Sequence, residues 1–439
     1  MNELRPYQID AINRARAAFA DGARRVCIVS PTGSGKTRIA ADIVQRATRP
    51  GRKAKVWWLT HRRELVGQAY DTLKALGLHV GCVSASGVRP QDTSAPVQVA
   101  SVQTLITRDH TTDGATLMVL DECHHFAAPE FQTAIPPGVY IVGLTATPER
   151  GDGVGLHTIM DRLVVVSQIK PLIKAEYLSP VDVICPAEKL GTRSIAQRPV
   201  DAYRQNGVGQ FLCYSSTIAA ATKHAQEFKD EGLRVAMITG KTYADVREKA
   251  LADFQAGDLD GLVNVNVLTE GTDLPCATTA IVARDIGPVS LLMQIAGRVM
   301  RKHPGKDRAR LLDLHGCTHI HGHPSEDRVY SLDGTGMRRV EGADQSYCRV
   351  CGNAIMPGSA CDDCGTAPKK PKPMRVTGDA LVKFEGVRKQ PTNQRVENLK
   401  KWIAIAQAKG WKKGQPMYRY FATYGHWPDR AMIAAAYRR

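Results

Sequence analysis

The chain has 439 residues, with 59 Lys and Arg against 43 Asp and Glu, for a formal net charge of +16. That length supplies cores for two or three domains. No run approaches the ~18 apolar residues of a membrane span, and Met1-Asn2-Glu3-Leu4-Arg5-Pro6 has no signal-peptide character, so a cytoplasmic protein without membrane contact is expected. The charge is lopsided. From Gly365 to Arg439 there are 17 Lys and Arg against four Asp and Glu, which leaves the preceding residues near neutral at +3. Such a segment reads as a contact for phosphate backbones.

Apolar, β-branched runs alternate with helical patterns twice along the chain. The first round spans Leu4 to about Val166, with strands expected at Val26–Val29, Val56–Leu59, Val97–Ala100, Leu117–Leu120 and Tyr140–Leu144. The second spans about Gln210 to Asp313, with strands at Phe211–Tyr214, Val235–Ile238, Gly261–Val265, Ala280–Ala283 and Arg310–Leu314. Runs of this kind form parallel sheets covered on both faces. The expected fold is therefore α/β, with tandem lobes at residues 1–168 and 169–335. A small ribbon at 340–368, a basic linker at 369–390 and a basic aromatic helical module at 391–439 follow.

Ser30-Pro31-Thr32-Gly33-Ser34-Gly35-Lys36-Thr37 has the form of a phosphate-binding loop between a buried strand and a helix. Gly33 and Gly35 let backbone N–H groups close around a β-phosphate, Lys36 reaches the β/γ-phosphates, and Thr37 offers a hydroxyl to Mg²⁺. The first position departs from the usual pattern, being Ser30 rather than Gly. Asp121 and Glu122 end the apolar run Leu117–Leu120, where a second strand would deliver one carboxylate to Mg²⁺ and another to orient an attacking water.

Further segments follow in a fixed order. They are Arg5-Pro6-Tyr7-Gln8, Thr60-His61-Arg62-Arg63-Glu64-Leu65, Ser101-Val102-Gln103-Thr104-Leu105, Gly143-Leu144-Thr145-Ala146-Thr147-Pro148, Val265–Pro275 and Gln294–Arg301. With the loop and the paired acids, this set resembles the superfamily 2 helicases of the DExH type, and within them the RadD-like group that also holds XPB, UvsW and short phage-encoded versions. The resemblance implies two RecA-like lobes, ATP and Mg²⁺. It places Arg5, Gln8, Thr32, Ser34, Gly271 and Asp273 at the nucleotide and Gln294, Arg298 and Arg301 at the transferring phosphoryl group. Thr145 and Thr147 would couple hydrolysis to movement. Thr60, Arg62, Ser101, Gln103, Thr239 and Thr269 would contact nucleic acid. Arg298 and Arg301 are three apart on a helical pattern, so they are expected on one face.

Cys348, Cys351, Cys361 and Cys364 form two CxxC pairs, a donor set for one structural Zn²⁺. The other seven cysteines are scattered singly. His315, His319, His321 and His323 with Cys317 make a tempting cluster, read here as a connector with no carboxylate organised around it. The C-terminal module is aromatic as well as basic, and Trp411 and Tyr420 are its candidate stacking platforms for bases. The other readings are docking of a replication or repair protein through this tail, and docking of the tail on the chain's own lobes. The sequence as a whole points to an ATP-dependent helicase or translocase on single-stranded, forked or duplex DNA, in replication, recombination or repair. Its rivals are an RNA helicase, the motor subunit of a restriction system, and a zinc-anchored DNA-binding ATP switch.

Overall fold

A computed structural model describes residues 3–84, 89–108, 110–148, 155–191, 194–269, 271–333, 346–347, 354–355, 375–384, 392–408, 416–417, 420 and 430–437. Cys348, Cys351, Cys361, Cys364 and Trp411 lie outside the described residues. Of the expected ribbon, only the antiparallel pair Ser346–Tyr347 and Ala354–Ile355 is described.

Lobe 1 is one parallel sheet of seven strands: β1 (Arg25–Val29), β2 (Val56–Thr60), β3 (Val80–Val83), β4 (Val97–Ser101), β5 (Leu117–Asp121), β6 (Tyr140–Thr145) and β7 (Arg162–Val165), in the order β3-β4-β2-β5-β6-β1-β7. Side chains alternate between faces. In β1, Val26 and Ile28 enter one core while Cys27 and Val29 enter the other. Burial on both faces is why these strands read as continuous apolar runs. The five expected strands are present, and β5 runs one residue further than read, so that Asp121 is itself the strand end. The two that were missed, β3 and β7, are the short edges, where four residues carry little periodic signal.

Lobe 2 is built alike. Its strands are β8 (Val181–Pro186), the two-residue β9 (Ser194–Ile195), β10 (Phe211–Ser215), β11 (Val235–Ile238), β12 (Gly261–Asn264), β13 (Thr279–Ala283) and β14 (Ala309–Asp313). The sheet runs β11-β12-β10-β13-β14-β8 and gains Leu381–Lys383 as an antiparallel edge on β8. Residues 375–384 are thus corrected from linker to part of lobe 2. Arg375–Val376 pairs with β9, and Phe384 is buried in the lobe's core. An open sheet edge offers unpaired backbone groups, and a short strand with apolar alternation satisfies them. Average charge hid this. Lys383 itself is neutralised by Asp182, which also receives Arg308 and Arg310. Burial raises the Asp182 pKa, but these three cations outweigh it and hold the carboxyl below its ordinary range.

The chain then crosses back. Tyr330 and Leu332 pack against lobe 1, and the His157 amide donates to the Leu332 carbonyl at 3.0 Å. The tail makes its own small core among the described residues. Helices Thr392–Ala408 and Arg430–Tyr437 bring Leu399, Ile403, Met432 and Ala436 around Tyr420. Tyr420 is fully buried and donates to Met432 Sδ at 3.1 Å. The stacking role expected for it is therefore corrected: an aromatic side chain that fills a helix seam has no face to offer a base.

The largest buried side chains of lobe 2 include Phe228, whose ring lies 4.5 Å from that of Phe211. Phe228→Ala should destabilise this lobe by about 3–5 kcal/mol, the usual cost of emptying such a site. The measurement is the denaturant midpoint of the full chain followed by circular dichroism.

Candidate functional site

The phosphate-binding loop joins β1 to the helix Lys36–Ala47. Gly33 and Gly35 have φ of 87° and 86°, the left-handed region where only glycine is unstrained. The Ser30 departure has a structural reason. Its buried hydroxyl meets that of Ser34, which in turn donates to the Pro31 carbonyl, so the base of the loop is tied to itself. Tyr7 and Gln8 both donate to the Ser34 carbonyl, at 2.7 and 3.1 Å. A Cβ on Gly35 would sit 2.5 Å from Gln8 Nε2 and push that amide off the Ser34 carbonyl. Arg5 donates to the Tyr7 hydroxyl at 3.0 Å and covers the ring of Tyr177 at 4.4 Å. The Arg5-Pro6-Tyr7-Gln8 segment therefore clamps the loop on one side and touches the start of lobe 2 on the other.

The acids arrive from β5 as expected. Lys36 Nζ lies 3.3 Å from Glu122 Oε1, and both side chains are nearly buried. Glu122 has φ 50°, a strained conformation for this residue. Asp121 Oδ1 takes the Glu122 amide at 3.1 Å, and a single 3₁₀ turn, Cys123–Ala127, follows. His124 follows the paired acids and was not singled out from the sequence. Its Nδ1 lies 3.6 Å from Glu122 Oε2 and 3.0 Å from Thr145 Oγ1. Thr145 spends its one hydroxyl proton on the Thr147 carbonyl at 2.7 Å, so His124 must be the donor to Oγ1. The Thr147 amide donates back to the same oxygen, and the Ser30 amide donates to the Thr145 carbonyl. The expected coupling residues are thus wired to both the acid and the loop.

Lobe 2 supplies the facing wall. The helix Val289–Val299 carries Gln294, Gly297 and Arg298, all buried. Arg298 donates to the Thr269 carbonyl at 3.2 and 2.8 Å and also to that of Thr272. Arg301 lies beyond the helix end rather than on its face. It converges with Arg298 on the Thr272 carbonyl, at 3.0 Å, and pairs with Asp273. Burial lowers the Arg301 pKa, and Asp273 opposes that shift. The two walls touch. A Cβ on Gly297 would lie 2.5 Å from Thr32 Cβ, and one on Gly33 would lie 3.0 Å from Arg301 Cγ. Between them remains a cavity of about 10 Å³ bounded by Thr32, Ala146, Leu178, Gly297 and Tyr330. Gln68 of lobe 1, unremarked in the sequence, donates to the Gly271 carbonyl across the same cleft.

The candidate nucleic-acid residues of lobe 1 stand on one sheet edge, where Thr60 and Ser101 are register partners at the ends of β2 and β4. Both hydroxyls are buried and serve local turns: Thr60 donates to the Arg62 carbonyl and Ser101 to Gln103 Oε1, each at 2.9 Å. Thr239 closes a similar turn after β11 through the Lys241 amide, and Thr269 offers its carbonyl to Arg298. These groups shape the edge, with Arg62 and Gln103 beside them.

The His-rich connector is partly as read. His319 donates to the Pro186 carbonyl and His321 to that of Ile286, both at 2.8 Å, while His323 meets Ser325. His315 is the correction. A carboxylate is organised on it after all, with Asp285 Oδ1 3.2 Å from Nε2. Burial opposes the charged imidazole, but Asp285 and the Ser194 carbonyl raise its pKa above the ordinary value.

Comparison with known proteins agrees with this geometry. The profile of the type III restriction enzyme res subunit matches residues 1–150, and that of the helicase conserved C-terminal domain matches residues 196–303. The Saccharomyces cerevisiae protein IRC3, named as an ATP-dependent helicase, is 29% identical over 72% of this chain and 52% of its own, so the present chain spans about half the length of that relative. A 51.5 kDa protein of a Lactococcus phage is 27% identical over 92% of this chain and 94% of its own. The DNA 3'-5' translocase XPB2 of Sulfurisphaera tokodaii is 25% identical over 71% and 80%. Among solved structures, a fragment assigned as the HsdR subunit of a type I restriction enzyme from Vibrio vulnificus superposes with a TM-score of 0.59 at 21% identity, covering 75% of this chain and 68% of that one, which shows the shared fold. With two helicase domains in tandem and the loop, the paired acids and the arginine segment gathered at one cleft between them, the chain belongs to the superfamily 2 helicases, a family of ATP-hydrolysing enzymes.

Proposed function

We propose that the chain hydrolyses ATP between its lobes and uses the resulting opening and closing to move along DNA or unwind it, in replication, recombination or repair. The observation that carries this reading is the meeting of Lys36 and Glu122 with Gly297 and Arg301 at one cleft. In this reading the β/γ-phosphates replace Glu122 as the partner of Lys36, and the amides of Gly33 to Thr37 close around them. Thr37 and Asp121 would hold Mg²⁺, which supplies charge neutralisation at the phosphates when bound. Glu122, freed from Lys36, orients the attacking water. Arg301 stabilises charge on the transferring group, and Arg298 holds the Thr269 and Thr272 carbonyls, the second of which also positions Arg301. A shift of Glu122 reaches Thr145 and Thr147 through His124. The similarity to a DNA translocase supports DNA as the track. The basic stretch from Gly365 adds sequence-independent affinity for the backbone, and Cys348, Cys351, Cys361 and Cys364 hold a structural Zn²⁺ beside it.

Glu122→Gln should keep nucleotide binding while lowering turnover by roughly 10²–10⁴-fold, the usual worth of a positioned base. Arg301→Ala should lower turnover by roughly 10³–10⁵-fold with little change in nucleotide affinity, as expected of a group acting in the transition state. Steady-state hydrolysis and binding of a fluorescent nucleotide check both, and near-normal turnover in either variant would remove that residue from its role. Gly297→Ala is a test of the cleft itself. Its new methyl would meet Thr32 and hold the lobes apart, so turnover should fall while nucleotide binding persists. Hydrolysis measured in parallel with single-stranded, forked and duplex DNA and with RNA tests the substrate. Stimulation by RNA equal to that by DNA would displace the DNA reading.

A further inference from the structure

Three metal-type donors converge away from the cleft. Asp285 follows β13, while His315 and Cys317 follow β14, and these strands are neighbours in the sheet. Asp285 Oδ1 lies 3.2 Å from His315 Nε2 and 3.7 Å from Cys317 Sγ, and the three donor atoms are all within 4.8 Å of one another. His315 Nδ1 lies 2.7 Å from the Ser194 carbonyl. A carbonyl only accepts, so Nδ1 carries the proton and Nε2 faces the cluster. His315 is 0% exposed, and its Nε2 faces the Asp285 carboxylate. The Ile286 amide points at Cys317 Sγ from 3.2 Å, a donor that would support a thiolate. Lys189 Nζ, 3.5 Å from Asp285 Oδ1, is the cation that now faces the carboxylate.

We propose that Asp285, His315 and Cys317 form a site for a divalent transition ion of the zinc class, separate from the four CxxC cysteines. Metal–ligand lengths of about 2.0–2.3 Å give a tetrahedron with edges of roughly 3.3–3.7 Å, close to the two distances above. A histidine whose second nitrogen is fixed on a carbonyl is the usual arrangement around such an ion. Binding releases the Cys317 thiol proton to solvent and turns Lys189 outward, and water takes the fourth position on the partly exposed side of Asp285. The placement gives the ion a structural consequence. The segment Asp285–Pro288 leads directly into the helix Val289–Val299, so a metal clamp there fixes the root of the helix that carries Gly297 and Arg298.

The test uses the full chain with Cys348, Cys351, Cys361 and Cys364 replaced by serine, so that only the proposed site remains. After dialysis against micromolar zinc and then metal-free buffer, elemental analysis should find one zinc per chain, and stripped protein should gain Tm on zinc addition. Adding Asp285→Asn or His315→Ala should remove both. The cobalt form should show a thiolate-to-metal charge-transfer band that Cys317→Ser abolishes. Asp285→Asn keeps the side-chain shape and decides the matter if His315→Ala does not fold. No retained zinc and no Tm change in the serine background would overturn the proposal. So would zinc retained undiminished in Asp285→Asn.

Discussion

The contact on which this molecule depends is the backbone-close approach of Gly297 to Thr32. Each lobe is a parallel sheet, and such sheets deliver their useful groups at the carboxyl ends of their strands. In lobe 1 that edge presents the phosphate loop after β1, the acids after β5 and Thr145 at the end of β6. Lobe 2 instead brings the far end of the helix that follows β13, beside the residues that lead into β8, where the Ser179 amide donates to the Met300 carbonyl. The two lobes become one site only because a residue without a side chain lets that helix lie on the loop. A single methyl group at this point would separate chemistry that is otherwise fully assembled within each half.

The charged groups at the cleft are already paired. Lys36 holds Glu122, Arg301 holds Asp273, and Arg298 rests on two carbonyls. A buried charge without a partner is costly, so these groups are stable at low exposure only while something of opposite sign or polarity faces them. Phosphate oxygens offer the same cations an equivalent partner. In the proposed mechanism, binding is an exchange of partners rather than a creation of new ion pairs, and the displaced groups carry the change onward. Glu122 is next to His124, and His124 donates to Thr145. The strained φ of Glu122 fits a residue whose orientation is held by its neighbours rather than by its own preference.

The connections between modules are less modular than the chain order suggests. The segment through Tyr330 and Leu332 returns to lobe 1 after lobe 2 is complete. The strand Leu381–Lys383 returns to lobe 2 from beyond the CxxC pairs. The CxxC region is therefore bracketed by two anchors, one on each lobe. The basic tail beyond carries a small core of its own, and its aromatic content is partly consumed by that core.

Much was decided by local sequence. Apolar runs with turn residues between them marked five strands of each lobe, because a strand covered on both faces cannot hide its composition. The phosphate loop, the paired acids and the arginine segment were legible because their chemistry demands particular residue types at short spacing. What the sequence could not show lies in pairs distant along the chain. Tyr420 looked like a platform for bases until the helix Arg430–Tyr437 closed over it. Residues 375–384 looked like a basic linker until β9 and the edge of β8 paired with their two ends. Asp285 and His315 are thirty residues apart and meet only because β13 and β14 are neighbours. Arg298 and Arg301 meet at the Thr272 carbonyl, although only one of them is on the helix. Composition and spacing report what a residue can do, whereas burial and the partner it meets are properties of strand order, and strand order belongs to the folded chain.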